Sequence, residues 1–144
     1  MQANFQGKKL VAVAGLGRLG SQVARTLYQL GHDVLAIDQN EQLVQDLTGE
    51  VTHPVRGDAT NENVLRELGI HNYDVAIVAI GTNVQANIMV SVLFKTIGIP
   101  YIVSRANNEL HANTLERIGC NKVIQPEAES GTRLAHMLFT PEAQ

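Results

Sequence analysis

The run Gly15-Leu16-Gly17-Arg18-Leu19-Gly20 holds three glycines at the spacing that cradles a nucleotide pyrophosphate. In that reading Gly15 allows a tight turn, Gly17 lets backbone N–H groups approach the phosphates, and Gly20 lets a helix pack closely on a sheet. A helix opening there aims unpaired N–H groups and the positive end of its dipole at the anion, so no metal or catalytic side chain is required. Three glycines alone recur in ordinary loops, and here the flanks supply the specificity. An apolar run, Leu10-Val11-Ala12-Val13-Ala14, precedes the motif, a helical pattern follows it, and Asp38 closes a second apolar run. Asp38 stands where a carboxylate accepts the hydroxyls of an adenosine ribose; the same charge repels a 2′-phosphate and disfavours NADP. Its other reading is a cap for the next helix. Arg18, inside the motif, either pairs with phosphate oxygens through its planar guanidinium or stands as a solvated surface residue.

Such groups work together only if a scaffold brings several strand ends to one place. Short apolar runs alternate with amphipathic stretches along the chain, the pattern of βαβ units. Strands are predicted at Lys9–Ala14, Asp33–Asp38, Thr52–Val55, Val75–Ile80, Tyr101–Ser104 and Lys122–Ile124. The run Val75–Ile80 does not alternate, so both its faces should be covered, as in a central parallel strand. The expected fold class is α/β: a Rossmann-like doubly wound parallel sheet of six strands, ordered 3-2-1-4-5-6, with helices on both faces. The first helix carries Leu19, Val23, Leu27 and Leu30 and stops at Gly31; Asn40 is expected to cap a second helix and Thr60 a third. A last helix, over residues 128–139 and ahead of Pro141, presents Leu134, Met137, Leu138 and Phe139.

In this architecture ligands lie at the carboxyl ends of the strands, so the residues there become candidates. Gln39 and Asn40 follow the second strand. Asp58 and Ala59 follow the third, where the carboxylate could accept from an adenine amine or cap a helix. Ile80, Gly81 and Thr82 follow the fourth, offering backbone access or an ordinary turn. Arg105, Ala106 and Asn107 follow the fifth, with Arg105 a second cation for phosphates or a surface residue. Glu127, after Pro126, is either one oxygen ligand of a hard cation such as Mg²⁺ or Ca²⁺ or a helix-start carboxylate.

Composition excludes several other classes. The 144 residues fit a single domain; 44% are hydrophobic and 17% charged, and the net charge of −3 gives no footprint for nucleic acid. The one cysteine, Cys120, forms no internal disulfide, and the five histidines show no metal or triad spacing, so a reduced cytosolic setting is expected. No apolar run approaches the roughly 20 residues needed to span a bilayer.

The segments Val13-Ala14-Gly15-Leu16-Gly17-Arg18-Leu19-Gly20, Gly31-His32-Asp33-Val34-Leu35-Ala36-Ile37-Asp38, Gly57-Asp58-Ala59-Thr60, Val78-Ala79-Ile80-Gly81 and Leu115–Glu127, in this order, resemble the regulator-of-potassium-conductance (RCK/KTN) family. The similarity is to the N-terminal nucleotide-binding domain of bacterial Ktr/Trk regulatory subunits and runs from about Lys9 to Met137. It implies a cytoplasmic domain that binds ATP/ADP or NAD(H), forms homodimers and octameric rings, docks on a membrane-embedded potassium-translocating subunit and gates ion flow through ring shape. It also implies roles by position: Arg18 at the phosphates, Asp38 at the ribose, Asp58-Ala59 and Ile80-Gly81-Thr82 at the adenine wall, and Arg105 near the phosphates. His111 falls where a residue can approach the nucleotide, and Glu127 matches an acid implicated in divalent-cation binding. Family members continue into a smaller second subdomain beyond the point where this sequence ends, so the expectation is one nucleotide-binding domain over 1–144 without the C-terminal RCK subdomain, with 128–139 as an assembly or linker helix.

The alternative from another class is a small NAD-dependent oxidoreductase, which shares the fold and the fingerprint. Hydride transfer needs a substrate pocket and a positioned acid or base, and no Tyr/Lys or His/Asp constellation stands out. The expected role is not enzymatic.

Overall fold

Strands that are apolar at every position must be buried on both faces, and the sheet is built from them outward. In the computed structural model, which describes residues 5–139, β1 (Leu10–Ala14) and β2 (Asp33–Asp38) lie at the centre beside β4 (Val75–Val78). β3 (His53–Arg56) and β5 (Tyr101–Arg105) flank them, and β6 (Lys122–Ile124) closes one edge. The order is β3-β2-β1-β4-β5-β6 with every pairing parallel, as the sequence pattern predicts. Because side chains alternate across the pleat, Ala12, Ala14, Leu35, Ile37 and Val78 enter one core with Leu65, Val90 and Phe94. Val11, Val13, Val34 and Ala36 enter the other with Leu16, Ala24, Val44 and Leu47.

The helices are α1 (Arg18–Gln29), α2 (Glu41–Gln45), α3 (Glu62–Glu67), α4 (Val84–Ile97), α5 (Glu109–Ile118) and α6 (Pro126–Phe139), with a short 3₁₀ turn at Ile70–Asn72. Register makes the site: Ala14 pairs with Ile37 on one side and Val78 on the other, so the loops after β1, β2 and β4 emerge level.

Five local expectations shift. The fourth strand ends at Val78 instead of Ile80; Ala79 N–H still reaches Ala14 O at 2.7 Å, and Ile80 O is then taken by a side chain, Asn87. The third strand begins at His53 because the Thr52 hydroxyl, not its backbone, receives Val34 N–H. Thr60 does not cap α3. Asp58 Oδ1 holds both its N–H (2.9 Å) and its hydroxyl (2.6 Å), and Asn61 takes the capping position one residue later. Leu30 falls past the end of α1 and is 69% exposed, so the buried stripe stops at Leu27; Gly31, at φ +98°, ends the helix as expected. α6 starts at Pro126, two residues before its predicted beginning, since proline suits the first helical position. Pro141 lies outside the described residues.

Candidate functional site

Each glycine of the motif answers to a different constraint. Gly15 has φ +94°, and a Cβ there would sit 2.8 Å from Ile80 N. A Cβ on Gly20 would lie 1.7 Å from Gly15 O, so the loop folds against its own helix. Gly17 differs: its φ of −69° suits any residue, and a Cβ added there meets no protein atom within 4 Å. The helix behind it is bare. α2, α3, α4 and α5 are each capped by an asparagine side chain (Asn40, Asn61, Asn83, Asn108), whereas α1 has no side-chain cap, no acid in its first turn, and Arg18 as its first residue. Unpaired N–H groups, a dipole end and a guanidinium therefore converge on one opening.

That opening is a cleft of about 710 Å³. Gly15, Leu16, Gly17, Arg18, Asp38 and Asn40 line one side, and Ile80, Gly81, Thr82, Arg105, Asn107 and Glu127 the other. A second lobe of about 280 Å³ joins it along Gly15, Asp38, Ile80 and Thr82, and Gln39, Asp58 and Ala59 form its wall. Both arginines, Arg18 and Arg105, line the larger lobe and neither lines the smaller, a charge division that suits the phosphate and base ends of a nucleotide. Three sequence candidates do not line either lobe: Leu19, Ala106 (1% exposed) and His111 (4% exposed).

Asp38 ties the two strand ends together. One carboxylate oxygen receives Leu16 N–H at 2.8 Å and the other Asn40 N–H at 2.8 Å, while Asn40 caps α2. Asp38 thus lines the cleft and does not cap α2; the cap is Asn40, two residues further on. Across the cleft, the Arg105 guanidinium lies over Gly81 and donates to Glu127, with a side chain 13% exposed and its Nε without a partner among the described residues. That bond, together with the backbone N–H of Glu127, holds the Glu127 carboxyl below the usual range. Among the described residues no cluster of three or more His, Cys, Asp or Glu side chains could hold a metal ion. Glu127 faces a guanidinium, so one chain alone does not furnish a cation sphere.

Asn87 escaped the sequence reading. It lies on α4 at 0% exposure and donates to Ile80 O (2.9 Å) and Arg105 O (3.1 Å). His111 Nε2 meets its Oδ1 at 2.8 Å, and Asn107 N–H donates to His111 Nδ1 at 3.1 Å. The one available signal was compositional: Asn87 and Ser91 share a helix face with Val90 and Phe94, where polar groups stay buried only when bonded.

A family model described as the TrkA-N domain matches residues 11–126. Two proteins of Bacillus subtilis (strain 168) are similar over most of this chain. Ktr system potassium uptake protein A is 43% identical over 130 residues, 90% of this chain and 59% of that protein; Ktr system potassium uptake protein C is 40% identical over 133 residues, 92% and 60%. The chain thus spans about three fifths of the length of these relatives. Among solved structures, the GsuK channel bound to NAD is 26% identical with a TM-score of 0.77, over 90% of this chain and 23% of that one. The TrkA-N domain of inner membrane protein ybaL from Escherichia coli shares the fold, with a TM-score of 0.81 at 20% identity over 91% and 97% of the two chains. No helix among the described residues is long and apolar enough to cross a membrane. With a matched span running from the first strand to the start of the last helix, the chain belongs to the TrkA-N domain family.

Proposed function

We propose that this chain is a nucleotide-binding regulatory domain of a potassium uptake system, taking ADP, ATP or NAD(H) in the cleft at the carboxyl ends of β1, β2 and β4. The pyrophosphate lies on the bare N-terminus of α1, the ribose against Asp38, and the adenine in the lobe walled by Asp58 and Ala59. Two relatives named as potassium uptake proteins and a 26% identical channel structure carrying NAD support the reading. The observation that carries it is Gly17. Its backbone suits any residue and its missing Cβ leaves no protein contact, so the space it keeps open belongs to a ligand.

Its output is conformational. A ligand shifts an assembly only by its differential affinity for the two arrangements, and Arg18 at the mouth of the cradle is placed to respond to added phosphate. The assembly is a homodimer and an octameric ring, seated at the cytoplasmic face of a membrane-embedded potassium-translocating subunit. A divalent cation would enter this scheme through Glu127 only with further oxygens from the nucleotide phosphates or a second chain. We read the role as non-catalytic: the cleft carries two arginines and hydrogen-bonded carboxylates, and His111 is turned away from it. Steady NADH turnover by the purified chain would overturn that assignment.

The two glycines separate ligand from fold. Gly17→Ala should melt at the wild-type temperature and bind ADP at least about tenfold more weakly by calorimetry, because the new methyl fills the phosphate approach. Gly20→Ala should instead lose roughly 3 kcal/mol or more of stability, since its methyl collides with Gly15 O. A Gly17→Ala chain that binds ADP as wild type does removes the pyrophosphate from the cradle.

A further inference from the structure

Resting on the nucleotide reading above, we infer that Asn87 and His111, neither of which touches the cleft, are positioning residues: they bolt together the loops after β4 and β5 that form its phosphate-end wall. Asn87 uses its full hydrogen-bonding capacity. Its amide N–H groups go to Ile80 O and Arg105 O, and its Oδ1 receives the Ser104 hydroxyl at 3.3 Å and His111 Nε2–H at 2.8 Å. Two carbonyl partners dictate which way the amide points, and the amide in turn dictates the histidine. Nε2 must carry the proton, and Nδ1 must be bare to accept Asn107 N–H. Asn107 then reaches across to the other loop, donating from Nδ2 to Gly81 O at 2.8 Å. The circuit runs from Ile80 through Asn87, His111 and Asn107 back to Gly81, closing around the pair of loops that also present Arg105.

The fit at stake is close. The Arg105 guanidinium rests on Gly81 so tightly that a Cβ there would lie 3.2 Å from Cζ, so the separation of the loops sets where the cation stands. Arg105, Gly81 and Asn107 line the larger, phosphate-end lobe and are absent from the walls of the adenine-end lobe. Of the circuit only Ile80 also lines the adenine-end lobe, whose Asp38, Asp58 and Ala59 lie outside it, so loosening acts mainly on ligands that reach beyond the first phosphate, a selectivity that general destabilisation would not produce.

The circuit also tolerates only neutral His111. A proton on Nδ1 would face the Asn107 N–H, donor against donor. No charged group bonds to the ring: it meets Asn87 from α4 and Asn107 from the loop after β5, Arg105 is turned to Glu127, and Glu109 on the same helix is directed at Gln125. Burial lowers its pKa, so the circuit is closed at neutral pH.

Calorimetry with adenosine, AMP and ADP tests the assignment on the whole chain. Asn87→Leu should bind ADP about tenfold more weakly than wild type while adenosine and AMP change by less than about twofold. His111→Gln keeps a donor for Asn87 and has no titrating proton. It should retain most of the ADP affinity and lack the weakening expected of wild type as pH falls through the lowered value of His111, and it carries the test if Asn87→Leu does not fold. Equal losses for all three ligands in Asn87→Leu, or an acid dependence that persists in His111→Gln, overturn the positioning role. Wild type that binds none of the three overturns the nucleotide reading itself and this role with it; wild type that binds with both variants unchanged overturns the circuit alone.

Discussion

The carboxylate of Asp38 receives Leu16 N–H on one oxygen and Asn40 N–H on the other, so it shapes the glycine loop before any ligand arrives. Each oxygen keeps a lone pair for ribose hydroxyls, and structural and binding roles fall on one side chain. Asp38→Ala should therefore lose about 1–2 kcal/mol in thermal or urea unfolding and also weaken ADP and NADH alike. The charge makes a second prediction: NADPH should bind at least about tenfold more weakly than NADH to wild type, and Asp38→Asn should narrow that gap. Equal affinity for the two dinucleotides in wild type would take Asp38 away from the ribose. The residues legible in the sequence were those whose meaning is local, namely Gly15, Gly20 and Asp38, whose spacing already fits a turn, a close contact and a strand end. Asn87 and His111 were not, because their partners lie 18 and 24 positions apart in the chain and only folding brings them together.

At the scale of elements, α6 stands apart. β1, β2, β4, β5 and the first five helices bury residues in the two cores or the small cluster around Leu115, and β3 and β6 pack the partly buried Val55 and Val123 against them, but α6 buries none. Leu134, Met137 and Leu138, spaced for one helical side, and Phe139 beyond them are 54–82% exposed. Side chains that bury no surface against the described residues contribute little to the stability of the fold. Met137→Glu combined with Phe139→Glu should leave the unfolding free energy of the monomer within about 1 kcal/mol of wild type while shifting the mass seen by light scattering towards the monomer. A double variant that self-associates as wild type does would place the assembly contact elsewhere. The apolar spacing of this helix was readable from the sequence; that none of the described residues covers it was not, because burial is a property of the packed molecule.

For the molecule as a whole, acid should act in two steps whose direction follows from two shifted groups. His111 is buried and neutral, with its folded pKa below the ordinary 6.5. Its contribution is complete above 6.5 and is lost as pH falls from there through the folded value, because the unfolded chain takes up the proton first. Glu127, drawn down by Arg105, is favourable above 4.5 and loses its pairing as pH falls through its own lowered value. Thermal melts across this range should show stability declining below pH 6.5 in wild type, with the upper part of the decline missing in His111→Gln. A wild-type curve that is flat between the two ordinary values would contradict the histidine assignment.

The strand order, the two-sided core and the glycine turn after β1 follow from the sequence by itself, because the buried runs Leu10–Ala14 and Val75–Val78, the glycine spacing and the acid after β2 act over a few neighbouring residues. Tertiary structure alone decided which of the strand-end residues meet. It set Arg105 over Gly81 and against Glu127, turned His111 inward to Asn87, and left Gly17 open while Gly15 and Gly20 are filled by their surroundings. Contacts between loops on different strands depend on the register of the whole sheet, and no stretch of sequence short enough to read contains it.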